Sequence, residues 1–255
     1  MSMKHFVNRL VNGVMLKPLG LKLGYRVGSD PVEDMVALMH GRRVDIIVDG
    51  GAYKGTFSAA MAAAFPQASI HAFEPTPASH ELLAETARGF CQIERHRLAL
   101  GAHGGTAVFY SNASPLTNSL QRSSEHGHRH FHDLVAGEEE LQVSVVALAD
   151  FARERGISAF DIVKLDLQGN ELDALRGVGD LIDKVQVALV EVHFVPLYES
   201  APVFSEIEVF FRMKGLVLYQ LYDLVRSPDN GRLLYGDALF VKPEILGEDQ
   251  MGLVE

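Results

Sequence analysis

From residue 44 onward, short β-branched runs alternate with segments of helix length, and this alternation restricts the fold more than any other feature. Val44-Asp45-Ile46-Ile47-Val48 ends at Asp49-Gly50-Gly51, and helix formers follow through Phe65 until Pro66 stops them. Ser69-Ile70-His71-Ala72-Phe73 reads as the next strand and closes on Glu74-Pro75. Residues 77–88 then read as helix and 91–100 as strand. Thr106 to Tyr110 and Leu141 to Val146 read as an antiparallel hairpin inserted around a polar, His-rich segment. Helix 148–155, strand 160–165, helix 170–177 and strand 185–192 resume the alternation. Helix 204–214 and strands 216–221 and 235–242 end it, and those two strands form a terminal hairpin. The pattern predicts an α/β fold with a mostly parallel, Rossmann-like sheet of seven strands. Phe6, Leu10, Val14 and Leu21 lie at near-helical spacing before Asp30-Pro31 starts a further helix, which predicts an N-terminal helical extension over 1–43 and one domain over 44–255.

Composition narrows the function. A formal charge of −10 disfavours non-specific binding to nucleic acid or to anionic membrane, so neither is expected as a partner. No apolar run approaches the roughly 20 residues that span a bilayer, so no stable membrane insertion is expected. The lone Cys91, beside Phe90, reads as a buried thiol in a reducing, cytoplasmic setting. The apolar face of the N-terminal extension is compatible with a homodimer.

The strongest local signal is Asp49-Gly50-Gly51-Ala52-Tyr53-Lys54-Gly55, which follows a strand and opens a helix. Glycines there let the backbone turn sharply and approach a ligand, at the sheet edge where open α/β folds bind them. Asp49 argues against a pyrophosphate above it, because like charges repel, and suits a ligand carrying an ammonium and a sulfonium. A plain strand–helix turn with an aspartate cap is the competing reading. Glu74, at the tip of the second strand, is placed to accept hydrogen bonds from ribose hydroxyls. That supports an adenosine ligand without choosing among cofactors. The absence of Gly-x-Gly-x-x-Gly turns the choice away from a dinucleotide.

With these residues in view, the chain resembles the FkbM-type methyltransferase family over roughly residues 44 to 242. Asp49 to Gly55 looks like that family's nucleotide loop, and His71-Ala72-Phe73-Glu74-Pro75-Thr76-Pro77 like its phenylalanine-glutamate-proline block. Thr117-Asn118-Ser119-Leu120 is similar to its serine-leucine segment. Asp161-Ile162-Val163-Lys164-Leu165-Asp166-Leu167-Gln168-Gly169-Asn170-Glu171 is similar to its most distinctive stretch, and Leu189-Val190-Glu191-Val192 follows as the fifth strand. The resemblance implies a class I methyltransferase sheet with a β-hairpin insertion. It further implies methyl transfer from S-adenosylmethionine to a hydroxyl of a sugar, glycan or polyketide-type natural product. It implies a cofactor lining from Asp49, Gly51, Glu74 and Ser119, extended here to Gly50, Ala52, Tyr53, Gly55, Phe57, Pro75 and Asp166. Tyr53 stands where an asparagine is frequent, and Gln168 where a glutamate is frequent.

Methyl transfer to an aliphatic hydroxyl still requires loss of a proton, so a general base or a metal would contribute. Lys164, Asp166 and Gln168 alternate at the end of the fourth strand and share a face. Glu191 and His193 do the same on the fifth. Asp166, Glu191 and His193 are therefore expected to meet, as a base with orienting partners, as a site for a divalent cation, or simply as strand-end polar groups. Lys164 is expected to pair with a carboxylate or to hold a substrate anion. His126, His128, His130 and His132 read as a solvated loop near the site's mouth, with a metal tract as the alternative. Phe194, Tyr198 and Phe204 either wall the acceptor or pack the core. An NAD-dependent oxidoreductase and a catalytically silent adenosine-ligand-binding subunit are the competing functions.

Overall fold

The computed structural model describes residues 30–131, 133–135 and 137–246. Helix α1 (Pro31–Leu38) begins where proline presets the helical φ, and the Asp30 carboxylate caps it by accepting from the Val32 and Glu33 amides. The rest of the expected N-terminal extension, with the homodimer surface inferred from it, lies outside the described residues.

Strands β1 (Ile46–Gly50), β2 (Ser69–Phe73) and β3 (Ile93–His96) run parallel, separated by helices α2 (Thr56–Ala64) and α3 (Pro77–Ala87). After an inserted region come α5 (Leu148–Arg155), β7 (Ile162–Leu165), α6 (Glu171–Gly177), β8 (Val187–His193), α7 (Phe204–Met213), β9 (Val217–Arg226) and β10 (Leu233–Val241). The main sheet has seven strands in the order β3-β2-β1-β7-β8-β10-β9, with β10 antiparallel to both neighbours. This is the Rossmann-like, mostly parallel sheet with a terminal antiparallel hairpin that the alternation predicts.

Apolar runs on both faces force three layers. On one side α1, α2 and α3 bring Met35, Met39, Met61 and Leu83 onto Ile47 and Ile70. On the other, α5, α6 and α7 bring Leu148, Phe151, Leu175 and Phe211 onto Val48, Val163 and Phe240, with the Phe211 and Phe240 rings stacked 4.3 Å apart. Every residue of β8 is buried, so its Glu191 and His193 are polar groups committed to the interior.

The inserted region differs from the expected hairpin. Residues 91–100 do not form one strand: β3 stays in the main sheet, while β4 (Ala99–Leu100) leaves it to pair with β6 (Glu139–Val146), which also pairs antiparallel with β5 (Gly105–Ser111). A second, three-stranded sheet results, built around Ala99, Phe109 and Val143. The His-rich segment is not a loop but helix α4 (Glu125–Phe131). Gly127 seats it, because a Cβ there would lie 2.2 Å from the Leu197 carbonyl oxygen, and the flanking His126 and His128 are exposed. Alternate spacing therefore does not gather these histidines on one face, and His132 lies outside the described residues. Cys91 is exposed rather than buried, since it sits in the turn before β3 and not inside a strand.

Candidate functional site

The carboxyl ends of β1, β2, β7 and β8 open into a cavity of about 300 Å³. Its apolar wall includes Phe73, Leu98, Leu100, Phe109, Leu116, Leu120 and Leu134, and its polar groups include Glu74, Asp166, Gln168, Glu191 and His193. The second sheet supplies Phe109. The segment after it, with a 3₁₀ turn at Pro115–Thr117, is pinned by the Thr117 hydroxyl donating to the Ser114 and Leu134 carbonyls.

The glycine loop is fixed from both sides. The Gly51 and Ala52 amides each donate to the Phe73 carbonyl at 3.0 Å. Gly51 has φ +69°, and a Cβ there would lie 1.9 Å from the Asp166 carbonyl oxygen, so no other residue fits without moving β7. Glu74 reaches back into this loop: one carboxylate oxygen accepts from the Tyr53 amide at 3.0 Å and the other from the Thr76 amide and hydroxyl. Burial raises the Glu74 pKa, while those hydrogen bonds and Lys164 oppose the rise. Oε1 thus has both of its acceptor sites filled, while Oε2, with one donor, retains acceptor capacity.

Behind the loop, strand register places Asp49 beside Lys164. The ammonium lies 3.3 Å from Asp49 Oδ1 and 3.7 Å from Asp166 Oδ2, and donates to the Gly50 and Gly51 carbonyls at 3.2 and 2.8 Å. Burial works against this charge, but Asp49 and Asp166 outweigh it and raise the Lys164 pKa. Asp49 is fully buried and takes the Ser58 hydroxyl at 2.6 Å on its other oxygen. Of the two roles expected for Lys164, the structure shows carboxylate pairing.

Among the residues expected to bind a cofactor, Gly51, Tyr53, Glu74, Pro75 and Asp166 line the cavity. Asp49, Gly50, Ala52, Gly55, Phe57 and Ser119 are not among its lining residues. Ser119 is fully buried, and its hydroxyl donates to the Gln168 carbonyl at 2.6 Å, so it shapes the loop after β7.

Asp166, Glu191 and His193 all face the cavity. His193 Nε2 lies 3.3 Å from Glu191 Oε2, but the contact is not aligned as a hydrogen bond, and that buried oxygen has no hydrogen-bond partner. Burial lowers the His193 pKa; burial, with Asp166 and Asp237 adding, raises that of Glu191, so neutral forms are favoured in both. These residues do not form a group of ligand atoms close enough for one metal ion. The expected divalent cation thus gains no geometric support at this place.

Three residues, Asp237, Glu171 and Asn170, were not foreseen here, and Tyr198 takes the first of the two places expected for it. Asp237 on β10 is registered opposite Glu191, and burial with Asp166 pushes its pKa up to about 7. Glu171 is buried at the start of α6 and accepts from the Leu167 and Gly169 amides; burial pushes it up to about 7. Asn170 donates to the Leu100 carbonyl at 2.9 Å. Tyr198 donates to Gln168 Oε1 at 2.6 Å, while Gln168 Nε2 donates to Asp166 Oδ1 at 2.7 Å. Tyr198 thereby joins the cavity wall, whereas Phe194 and Phe204 pack on each other against the core.

Residues 49–218 match the Methyltransferase FkbM domain, and the chain belongs to that family. It is 31% identical over 162 residues to Methyltransferase 1 of Beauveria bassiana (strain ARSEF 2860), covering 57% of this chain and 64% of that protein. It is 28% identical over 211 residues to the 31-O-demethyl-FK506 methyltransferase FkbM of Streptomyces tacrolimicus, covering 73% and 81%. Among solved structures it is similar to the methyltransferase FkbM of Methylobacillus flagellatus KT, with a TM-score of 0.49 and 14% identity. That match covers 85% of this chain and 49% of the other, so the chain spans about half the length of that protein. Among the described residues, no helix is long and apolar enough to cross a membrane.

Proposed function

We propose that the chain transfers a methyl group from S-adenosylmethionine to a hydroxyl of a small-molecule or glycan acceptor, of the sugar or polyketide type. One observation carries this reading. A single cavity joins Glu74, suited to a ribose diol, to a wall where Asp166 and Glu191 leave an excess of acid. The residues fit that cofactor. Glu74 keeps acceptor capacity, Glu191 Oε2 is a buried acceptor without a hydrogen-bond partner, and the acid surplus suits a ligand carrying sulfonium and ammonium groups. Gly51, Tyr53, Glu74, Pro75 and Asp166 would contact it; Asp49, Gly50, Ala52, Gly55, Phe57 and Ser119 would hold the loops that do.

The cofactor, when bound, supplies a methyl group on a leaving group that departs as a neutral thioether. The chain's part is to position the acceptor, exclude water and take its proton. Leu116, Leu120 and Leu134 provide an apolar wall, exposed at Leu116 and Leu134, for an acceptor with apolar surface. Asp166, half-exposed at the cavity, and His193, kept neutral by burial, are the proton acceptors. Gln168 and Lys164 fix Asp166. The names of related proteins support a sugar or an oxygen acceptor. They include a hexuronic acid methyltransferase, AglP, of Haloferax volcanii, and a 2-O-methyltransferase, NoeI, of Sinorhizobium fredii (strain NBRC 101917 / NGR234).

Calorimetric titration with S-adenosylhomocysteine and, separately, NADH tests the ligand. Binding of the first that Glu74→Ala weakens is the expected result. Binding of NADH alone would replace this reading with the oxidoreductase one. Asp166→Asn and His193→Gln should then abolish turnover of sugar or polyketide alcohols, with cofactor affinity within about threefold of wild type in His193→Gln. Full activity in both would remove them from the chemistry.

A further inference from the structure

A second group of ligand-type side chains lies on the α5 face of the sheet and shares no residue with the cavity lining. His71 comes from β2, and Glu94 and His96 come from β3, whose register sets His71 beside Glu94 and Phe73 beside His96. His71 Nδ1 lies 3.1 Å from His96 Nε2 and 3.5 Å from Glu94 Oε2, and His96 Nε2 lies 3.9 Å from Glu94 Oε1. One ligand atom from each residue falls within 4.8 Å of the others.

The two imidazoles are held before any ligand arrives. Both are buried, and their rings pack against Phe151 at centroid distances of 5.2 and 4.8 Å, with Phe73 at 4.8 Å from His96. Glu94 is half-exposed and gives the cluster a route to solvent. Tetrahedral zinc, with bonds of about 2.0–2.2 Å, needs ligand atoms roughly 3.3–3.6 Å apart, which is the scale of these separations. Two imidazoles and one carboxylate also match the N/O preference of that ion, with the fourth position left to water.

We propose that His71, His96 and Glu94 form a zinc-class divalent metal site that clips edge strand β3 to β2. Ligation requires neutral imidazoles, and burial in this aromatic surrounding lowers the pKa of both, that of His96 to about 3. The present His71–His96 contact shares one ring proton between two nitrogens. Moving that proton to the far nitrogen of its own ring frees both lone pairs for the ion, with no net proton change. Arg155 on α5 lies 3.1 Å from Glu94 Oε1 and over the Phe151 ring, so its cation competes for the same carboxylate. The role of the ion is structural: the His96 carbonyl accepts from the Glu74 amide at 3.0 Å, so the clip fixes the strand ends beneath the cavity. The inference does not rest on the methyl-transfer reading.

The test is titration of the full, tag-free, chelator-treated chain with Co²⁺, read by visible absorption, followed by displacement with Zn²⁺. One equivalent with the intensity of a four-coordinate ion is expected, together with a Zn²⁺-dependent rise in melting temperature. Glu94→Gln should weaken binding at least about tenfold, while Arg155→Ala should tighten it by roughly severalfold. Both are surface changes, so they decide the matter even where His71→Gln or His96→Gln fails to fold. Combined alanine substitution of His126, His128 and His130 should leave the single equivalent intact. Absence of stoichiometric binding, affinity indifferent to Glu94→Gln, or loss of binding in the α4 variant would each overturn the site.

Discussion

Glu171 makes stability depend on pH in a direction opposite to most carboxylates. Its side chain is 1% exposed and organises the turn after β7, with Oε1 accepting from Leu167 at 2.8 Å and Gly169 at 3.2 Å, and Oε2 from Gly169 at 3.1 Å. Burial raises its pKa from 4.5 to about 7, so the folded chain holds this proton more tightly than the unfolded chain does. The resulting stabilisation is full below about pH 4.5 and is lost as pH rises through 7. A rise of that size corresponds to about 3 kcal/mol, of which roughly 2.5 kcal/mol disappears between pH 5 and pH 8. Glu171→Gln keeps an acceptor at Oε1 and removes the titration. In urea denaturation, the stability of the variant relative to wild type should improve by about 2.5 kcal/mol from pH 5 to pH 8. A difference that stays flat within about 0.5 kcal/mol would mean that Glu171 ionises without penalty and that the burial argument fails.

Tyr53 adopts φ +49°, a left-handed conformation that asparagine tolerates better, so Tyr53→Asn should raise stability by up to about 1 kcal/mol in thermal melts. Gln168→Glu replaces the donor to Asp166 with an acceptor unless a proton is added; the variant should melt below wild type at pH 8 and recover at pH 5. Under the proposed function, the cationic cofactor should release protons on binding near pH 7, because Asp237 titrates there and Glu191 is raised as well. Calorimetry in buffers of different ionisation enthalpy should register more release for S-adenosylmethionine than for its demethylated product.

The parts of this fold that the sequence announces are those whose partners are local or adjacent in the sheet. Short apolar, β-branched runs mark β1, β2 and β8, the run of helix formers closed by Pro66 marks α2, and the acidic and glycine residues that close β1 and β2 mark the cavity's edge. Pairing of Lys164 with a carboxylate is legible too, because neighbouring parallel strands set it against Asp49. What stays hidden depends on distant register or on unusual backbone. Asp237 reaches the site only because β10 inserts antiparallel between β8 and β9, which no local pattern specifies. Residues 91–100 read as one strand because nothing in their hydropathy shows that Arg97 and Leu98 carry the chain from one sheet to another. Alternating histidines suggest a strand or loop, but Gly127 docked on Leu197 decides for a helix.

Tyr53 and Gln168, the two departures from the family pattern, both hold positive φ beside the cavity, at +49° and +55°. At 168 the structure gives a reason for the amide. Asp166 needs a donor and Tyr198 an acceptor, and the two ends of one glutamine meet both demands at 2.7 and 2.6 Å. A glutamate would add a further negative charge beside Asp166, near Glu191 and Asp237 whose carboxyls are already pushed toward the neutral form, while the Lys164 ammonium is largely answered by Asp49. Glutamine thus keeps the acid surplus at a level that a bound cation can neutralise. The left-handed backbone at 168 orients the carbonyl that Ser119 binds. Local strain at these two positions therefore accompanies the placement of polar groups at the cavity, which is where a fold tolerates it.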